Sequence, residues 1–167
     1  YYLDAGSGGL AVGVHTTQFA IRDVGLYAPV LELAMQTVRD WSTDSPIMIA
    51  GLAGRTAQAV NEAEIARGIG YHAGLLSLAA MKGASEDDLI AHARAVANEI
   101  PLIGFYLQPA VGGIVLPVSF WRRFAQIELI DDAVPDESTI LRFRHLLEQH
   151  QLTEKIFALV RSLLESK

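Results

Sequence analysis

Four apolar runs of strand length, each followed by a stretch of helical period, limit this chain to a small set of folds. They are Leu10–Val14, Ile47–Ala50, Ala73–Leu78 and the run from Leu102 to Phe105, set between Pro101 and Pro109. Their starts fall roughly 26 to 37 residues apart, the length of a strand, a crossover helix and two connections. The runs are almost wholly apolar and do not alternate, which predicts strands covered on both faces. Repeated strand–helix units of this kind build a parallel sheet, either part of a closed barrel or a doubly wound open sheet. The pattern alone does not separate the two. No dinucleotide-binding glycine fingerprint follows any strand, because Gly6-Ser7-Gly8-Gly9 precedes the first.

The intervening stretches carry helix signals. Residues 28–40 place Val30, Leu33, Ala34 and Val38 at helical spacing. Gly51-Leu52-Ala53-Gly54 closes the second strand, and Thr56 is the expected cap of a helix that buries Val60, Ala63 and either Ala66 or the aliphatic stem of Arg67. Ser85-Glu86-Asp87-Asp88 is close to a capping box, with acids throughout the first turn. Leu89, Ala93, Val96, Ala97 and Ile100 then mark one helical face, and residues 118–127 read as the helix of the fourth unit.

Composition bounds the rest. Of 167 residues 51% are apolar, enough for an ordinary core, and no run approaches the ~20 residues of a membrane span. The chain has no cysteine, which removes disulfides and thiolate metal sites and fits a cytoplasmic location. A net charge of −6 argues against nucleic-acid binding over the whole surface. The chain opens on Tyr1-Tyr2-Leu3 without a methionine, and an internal fragment is expected.

Charge density changes along the chain. Residues 1–119 hold 6 Lys/Arg against 11 Asp/Glu, whereas the much shorter stretch 120–167 holds 7 against 8. From Glu128 the strand pattern stops. Residues 131–139 form a polar turn with Asp136 or Ser138 as helix cap, and Ile140, Phe143 and Leu147 share one helical face. Thr153 caps a second helix carrying Ile156, Leu159, Val160, Leu163 and Leu164. The expected organisation is four strand–helix units over 1–127 and a helical hairpin over 128–167.

Candidate chemistry collects where strands end. Thr16 and Thr17 follow the first strand, Arg55 follows the Gly-x-x-Gly turn after the second, and Tyr106 follows the fourth. Each has a plain structural reading too: hydroxyls that finish a strand, a solvated loop arginine, a packed tyrosine. His15 is a lone histidine, and His72 and His92 have no ligand-spaced partners. His145 and His150 are five apart, off the spacing that puts two ligands on one helix face, so no metal site is expected.

The phrases Gly9-Leu10-Ala11-Val12-Gly13-Val14-His15-Thr16-Thr17, Ile49-Ala50-Gly51-Leu52-Ala53-Gly54-Arg55-Thr56 and Phe105-Tyr106-Leu107-Gln108-Pro109 stand in that order. On them, residues 1–127 resemble the dihydrodipicolinate synthase and N-acetylneuraminate lyase family, pyruvate-handling Schiff-base lyases on a (β/α)8 barrel. The resemblance implies a partial barrel holding its second to fifth strands. It implies that Thr16 and Thr17 bind the carboxylate of a pyruvate-type oxo-acid, with Thr17 in a proton relay, that Tyr106 shuttles protons, and that no separate cofactor is used; Arg55, by its place after the Gly-x-x-Gly turn, is a candidate to meet a substrate carboxylate, and a homo-oligomer is the expectation if a half barrel closes its sheet by self-association. Departures accompany it. Gln18-Phe19 replace the Gly-Glu that follows the family's threonines, and Ala79-Ala80-Met81 stand where it has tyrosines. The imine-forming lysine belongs on the strand after Tyr106, where this chain has Val134-Pro135; its lysines are Lys82, Lys155 and Lys167. An imine needs an amine held beside the carbonyl, so the family's covalent chemistry is expected to be absent.

A second resemblance starts near Phe120. Arg122 to Leu129 followed by Val134 to Glu148 is similar to the amino-terminal region of DDE-type insertion-sequence transposases. It implies a fused reading frame, with DNA as a partner only if the tail keeps such binding through Arg122, Arg123, Arg142 and Arg144; a solvated face balanced by Glu128, Glu137 and Glu148 explains these arginines equally well. That family's catalytic acids lie further along, so Asp131, Asp132 and Asp136 are not read as a metal triad. Three readings therefore stand: a lyase-family fragment without turnover, a transposase fragment, and a half barrel that associates with itself.

Overall fold

The computed structural model describes residues 1–41, 46–105 and 109–127. Their order is β1 (Gly9–Val12), α1 (Tyr27–Trp41), β2 (Ile47–Leu52), α2 (Thr56–Ile69), β3 (Ala73–Leu76), α3 (Glu86–Ala97), β4 (Leu102–Ile103) and α4 (Val118–Phe124). Short 3-10 turns at Thr16–Arg22, Ala79–Met81 and Pro109–Val111 follow β1, β3 and β4. The tail read as a hairpin and as transposase-like lies outside the described residues.

The four strands form one parallel sheet in the order β1-β2-β3-β4. A right-handed crossover repeated in the same direction puts every helix on the same face. The register shows the consequence. Leu10, Val12, Met48, Ala50, Leu52, Gly74, Leu76 and Leu102 lie on the face that meets the helices. Against them pack Leu31 and Met35 of α1, Ala59, Ala63 and Ala66 of α2, and Ile90, Ala93 and Val96 of α3. The alternate residues, among them Ala11, Ile47, Ile49, Ala73, Leu75 and Ile103, form the other face, and no helix among the described residues covers it. Of the two faces expected to be covered, the described residues cover one. These strands are apolar throughout because their second face has the character of a barrel interior, and the described chain supplies only one wall of it.

Two local readings also change. Helix α1 buries Tyr27, Leu31, Met35 and Val38, while Leu33 is 64% exposed. The buried stripe is rotated from the expected one, sharing only Val38 with it, because Tyr27 reaches under the sheet edge. Thr56 does not cap α2. Arg55 holds the cap position, at φ −76° and ψ 169°, and Thr56 opens the helix with its hydroxyl turned to His92. The capping box at α3 is present: Ser85 Oγ accepts from the Asp88 N–H at 3.1 Å, and the Ser85 N–H donates to the Asp88 carboxylate at 3.3 Å.

Candidate functional site

Parallel strands running in one direction send all their outgoing loops to the same edge of the sheet. At that edge β1 delivers Gly13 to Thr17, β2 delivers Ala53 to Arg55, β3 delivers Ser77 and Leu78, and β4 delivers Gly104 and Phe105. Thr16 and Thr17 open the 3-10 turn after β1, and the Gln18 N–H closes on the His15 carbonyl at 2.8 Å. Arg55 is exposed beside the end of the neighbouring strand. Tyr106 lies outside the described residues. The backbone thus brings the Thr16–Thr17 turn and Arg55 to adjacent strand ends.

The ends of β1 and β2 approach unusually closely. A Cβ on Gly51 would overlap the Gly13 carbonyl, so glycine is required there. Gly13 itself, at φ +70°, turns the chain out of β1.

Beneath these loops sits an ion pair that the sequence reading missed. Arg22, the last residue of the 3-10 turn, meets Glu62 of α2 with both side chains nearly sealed, 9% and 5% exposed. Arg22 Nε donates to Glu62 Oε1 and Nη2 to Oε2, both at 2.8 Å, and Nη2 also donates to the Gly51 carbonyl at 3.0 Å. Glu62 accepts two more bonds, from the Ala53 N–H at 3.0 Å and from Gln58 Nε2 at 2.8 Å. Four donors occupy the lone pairs of the carboxylate, which leaves it no capacity to act as a base. Its chemistry is positional: one carboxylate joins the turn carrying Thr16 and Thr17 to the segment leading into Arg55. The guanidinium lies 4.7 Å from the Tyr27 ring centre and 5.4 Å from that of Phe19. Tyr27 donates to the Gly51 carbonyl at 3.0 Å; burial, then the Glu62 charge, push its phenol well above the usual tyrosine range. A signal for this pair was present in the sequence. Ala59, Glu62, Ala63 and Ala66 form one stripe of α2, and a carboxylate inside an apolar stripe needs a buried partner.

His72 and His92 have structural roles. His72 Nδ1 accepts from the Met48 N–H at 2.9 Å while the His72 backbone N–H donates to the Met48 carbonyl, fastening the opposite end of the sheet. His92 is buried between α2 and α3 with Nδ1 3.0 Å from the Thr56 hydroxyl, and burial lowers its pKa, keeping the ring neutral. Lys82 is exposed in the connection after Ala79–Met81.

Sequential parallel strands, helices on one face and polar loops at one edge define part of a (β/α)8 barrel. No protein-family model matches the chain. Among solved structures it is similar to the dihydrodipicolinate synthase of Agrobacterium tumefaciens, at 25% identity and a TM-score of 0.53, over 61% of this chain and 34% of that one. It is similar also to the 4-hydroxy-tetrahydrodipicolinate synthase of Methylacidiphilum fumariolicum, at 21% identity and a TM-score of 0.50, over 60% and 33%. The chain therefore spans about a third of the length of the enzymes it matches.

Proposed function

We propose that this chain is a segment of a dihydrodipicolinate synthase-family barrel that keeps an oxo-acid half-site and has lost turnover. In this reading Thr16 and Thr17 take the carboxylate of a pyruvate-type ligand, Tyr106 has the role of the family's proton-shuttling tyrosine, and Arg55 adds positive charge at the rim. The observation that carries the proposal is the common edge at which these segments leave a sheet whose fold neighbours are dihydrodipicolinate synthases. The saturated Glu62 and its Arg22 support it by fixing two of the loops.

Loss of turnover follows from amine chemistry. An imine requires a lysine at a strand end beside the carbonyl, with burial lowering its pKa. Lys82 stands in an exposed connection before the strand that leads to Tyr106, while Lys155 and Lys167 fall in the tail. Borohydride reduction in the presence of pyruvate, read by intact mass, tests this directly. No covalent adduct is expected, while ligand-detected NMR registers reversible pyruvate binding that Thr17→Val removes. An adduct on Lys82 or Lys155 overturns the inactive reading, and absence of any pyruvate binding overturns the half-site.

A further inference from the structure

Arg55 leaves the chain between two fixed points. Two residues before it the Ala53 N–H donates to Glu62 at 3.0 Å, and one residue after it the Thr56 hydroxyl lies 3.0 Å from His92 Nδ1. Between them Gly54, at φ +93°, is a permissive link in the backbone, and the Arg55 side chain makes no cap bond to α2. The direction of Arg55 is therefore set by what holds its neighbours. The first hold is the Arg22–Glu62 pair already described; the second comes from α3.

Helix α3 buries Leu89, Ile90, Ala93, Val96 and Ala97 together with one imidazole, His92, which is 1% exposed. Among the described residues His92 Nε2 has no hydrogen-bond partner. A sealed imidazole with one nitrogen unpaired costs free energy that a leucine of similar size does not. What the ring supplies beyond packing is one directed hydrogen bond, and that bond ends on the first residue of α2. We propose that His92 is a positioning residue for the strand-end site: through Thr56 it fixes the start of α2, and with it the direction in which Arg55 is presented to an anionic ligand. This inference rests on the half-site reading above, in which Arg55 adds positive charge beside an oxo-acid carboxylate. It makes the packing of α3 on α2 part of how the ligand is held.

Pyruvate titration of the full 167-residue chain, followed by ligand-detected NMR, tests it. Arg55→Met is expected to weaken binding about tenfold or more, the loss of one hydrogen bond to a charged group. Thr56→Val keeps the shape and removes the hydroxyl; it is expected to weaken binding about 3- to 5-fold, and His92→Leu by the same factor. Thr56→Ser, which keeps the hydroxyl, is expected to bind as the native chain does. In an Arg55→Met background Thr56→Val is expected to change nothing further, because its effect passes through Arg55. Urea denaturation accompanies each variant, and Thr56→Val decides if His92→Leu fails to unfold cooperatively. Three results overturn the inference and leave the half-site reading standing: affinity unchanged in Thr56→Val or in Arg55→Met, affinity lost equally in Thr56→Ser, or a further loss in the Arg55→Met background. A native chain that binds no pyruvate overturns both, and is told apart because the signal is missing before any substitution is made.

Discussion

The two faces of the sheet are made of similar residues and have opposite fates. Met48 and Leu102 are sealed under helices, whereas Ile47 and Ile103, one position along the same two strands, are exposed. Hydrophobicity alone therefore does not make a core; connection geometry decides which face receives one. With each crossover turning the same way, the second face is left for whatever closes the barrel.

The contrast can be broken or sharpened by substitution. The largest effect is expected where charge, not surface, is sealed. Glu62→Gln leaves Arg22 buried without its counter-charge and should cost about 3–5 kcal/mol in urea denaturation, while Arg22→Met with Glu62→Leu should recover most of that. Next, Leu31→Ala on the covered side should cost about 2–5 kcal/mol, because Leu31 is fully buried. Ile47→Ala on the open side should cost less than about 1 kcal/mol. If the two faces respond equally in dilute solution, the distinction between them fails.

The α2–α3 seam should respond to pH. Burial lowers the pKa of His92 from the ordinary 6.5, so below that value the unfolded chain takes up a proton that the folded chain refuses. Its contribution is complete above pH 6.5 and is lost on acidification, at no more than about 1.4 kcal/mol per pH unit. Titration of stability against pH should show this slope in the native chain and a smaller one in His92→Leu. A comparably small effect is expected at an exposed helix start: Ser85→Ala removes the capping box of α3 and should cost about 1 kcal/mol.

Features governed by neighbours in sequence were legible. The four strands, the capping box at Ser85 and the buried face of α3 follow from local spacing and cap chemistry. The stripe of α1 was not, since Val30, Leu33, Ala34 and Val38 make as regular a pattern as Tyr27, Leu31, Met35 and Val38. Only the sheet edge beneath Tyr27 chooses between them. The ion pair of Arg22 and Glu62 joins residues 40 apart in sequence and leaves no local trace beyond a carboxylate in an alanine stripe. At the candidate site, the residue types and their strand-end positions were readable, but not the buried carboxylate that ties two of the loops together.

One further consequence attaches to β4. It pairs with β3 through two residues, where β1 and β2 pair through four, and Pro101 before it has no N–H to donate. Cooperative opening should thus begin along this seam, with amide exchange fastest at Leu102 and Ile103 and slowest at Ala50 and Leu52. The same two residues lead the chain toward Tyr106. Whatever occupies the strand ends would draw its last contact from the segment that unzips first, and binding would be recorded as slowed exchange in β4.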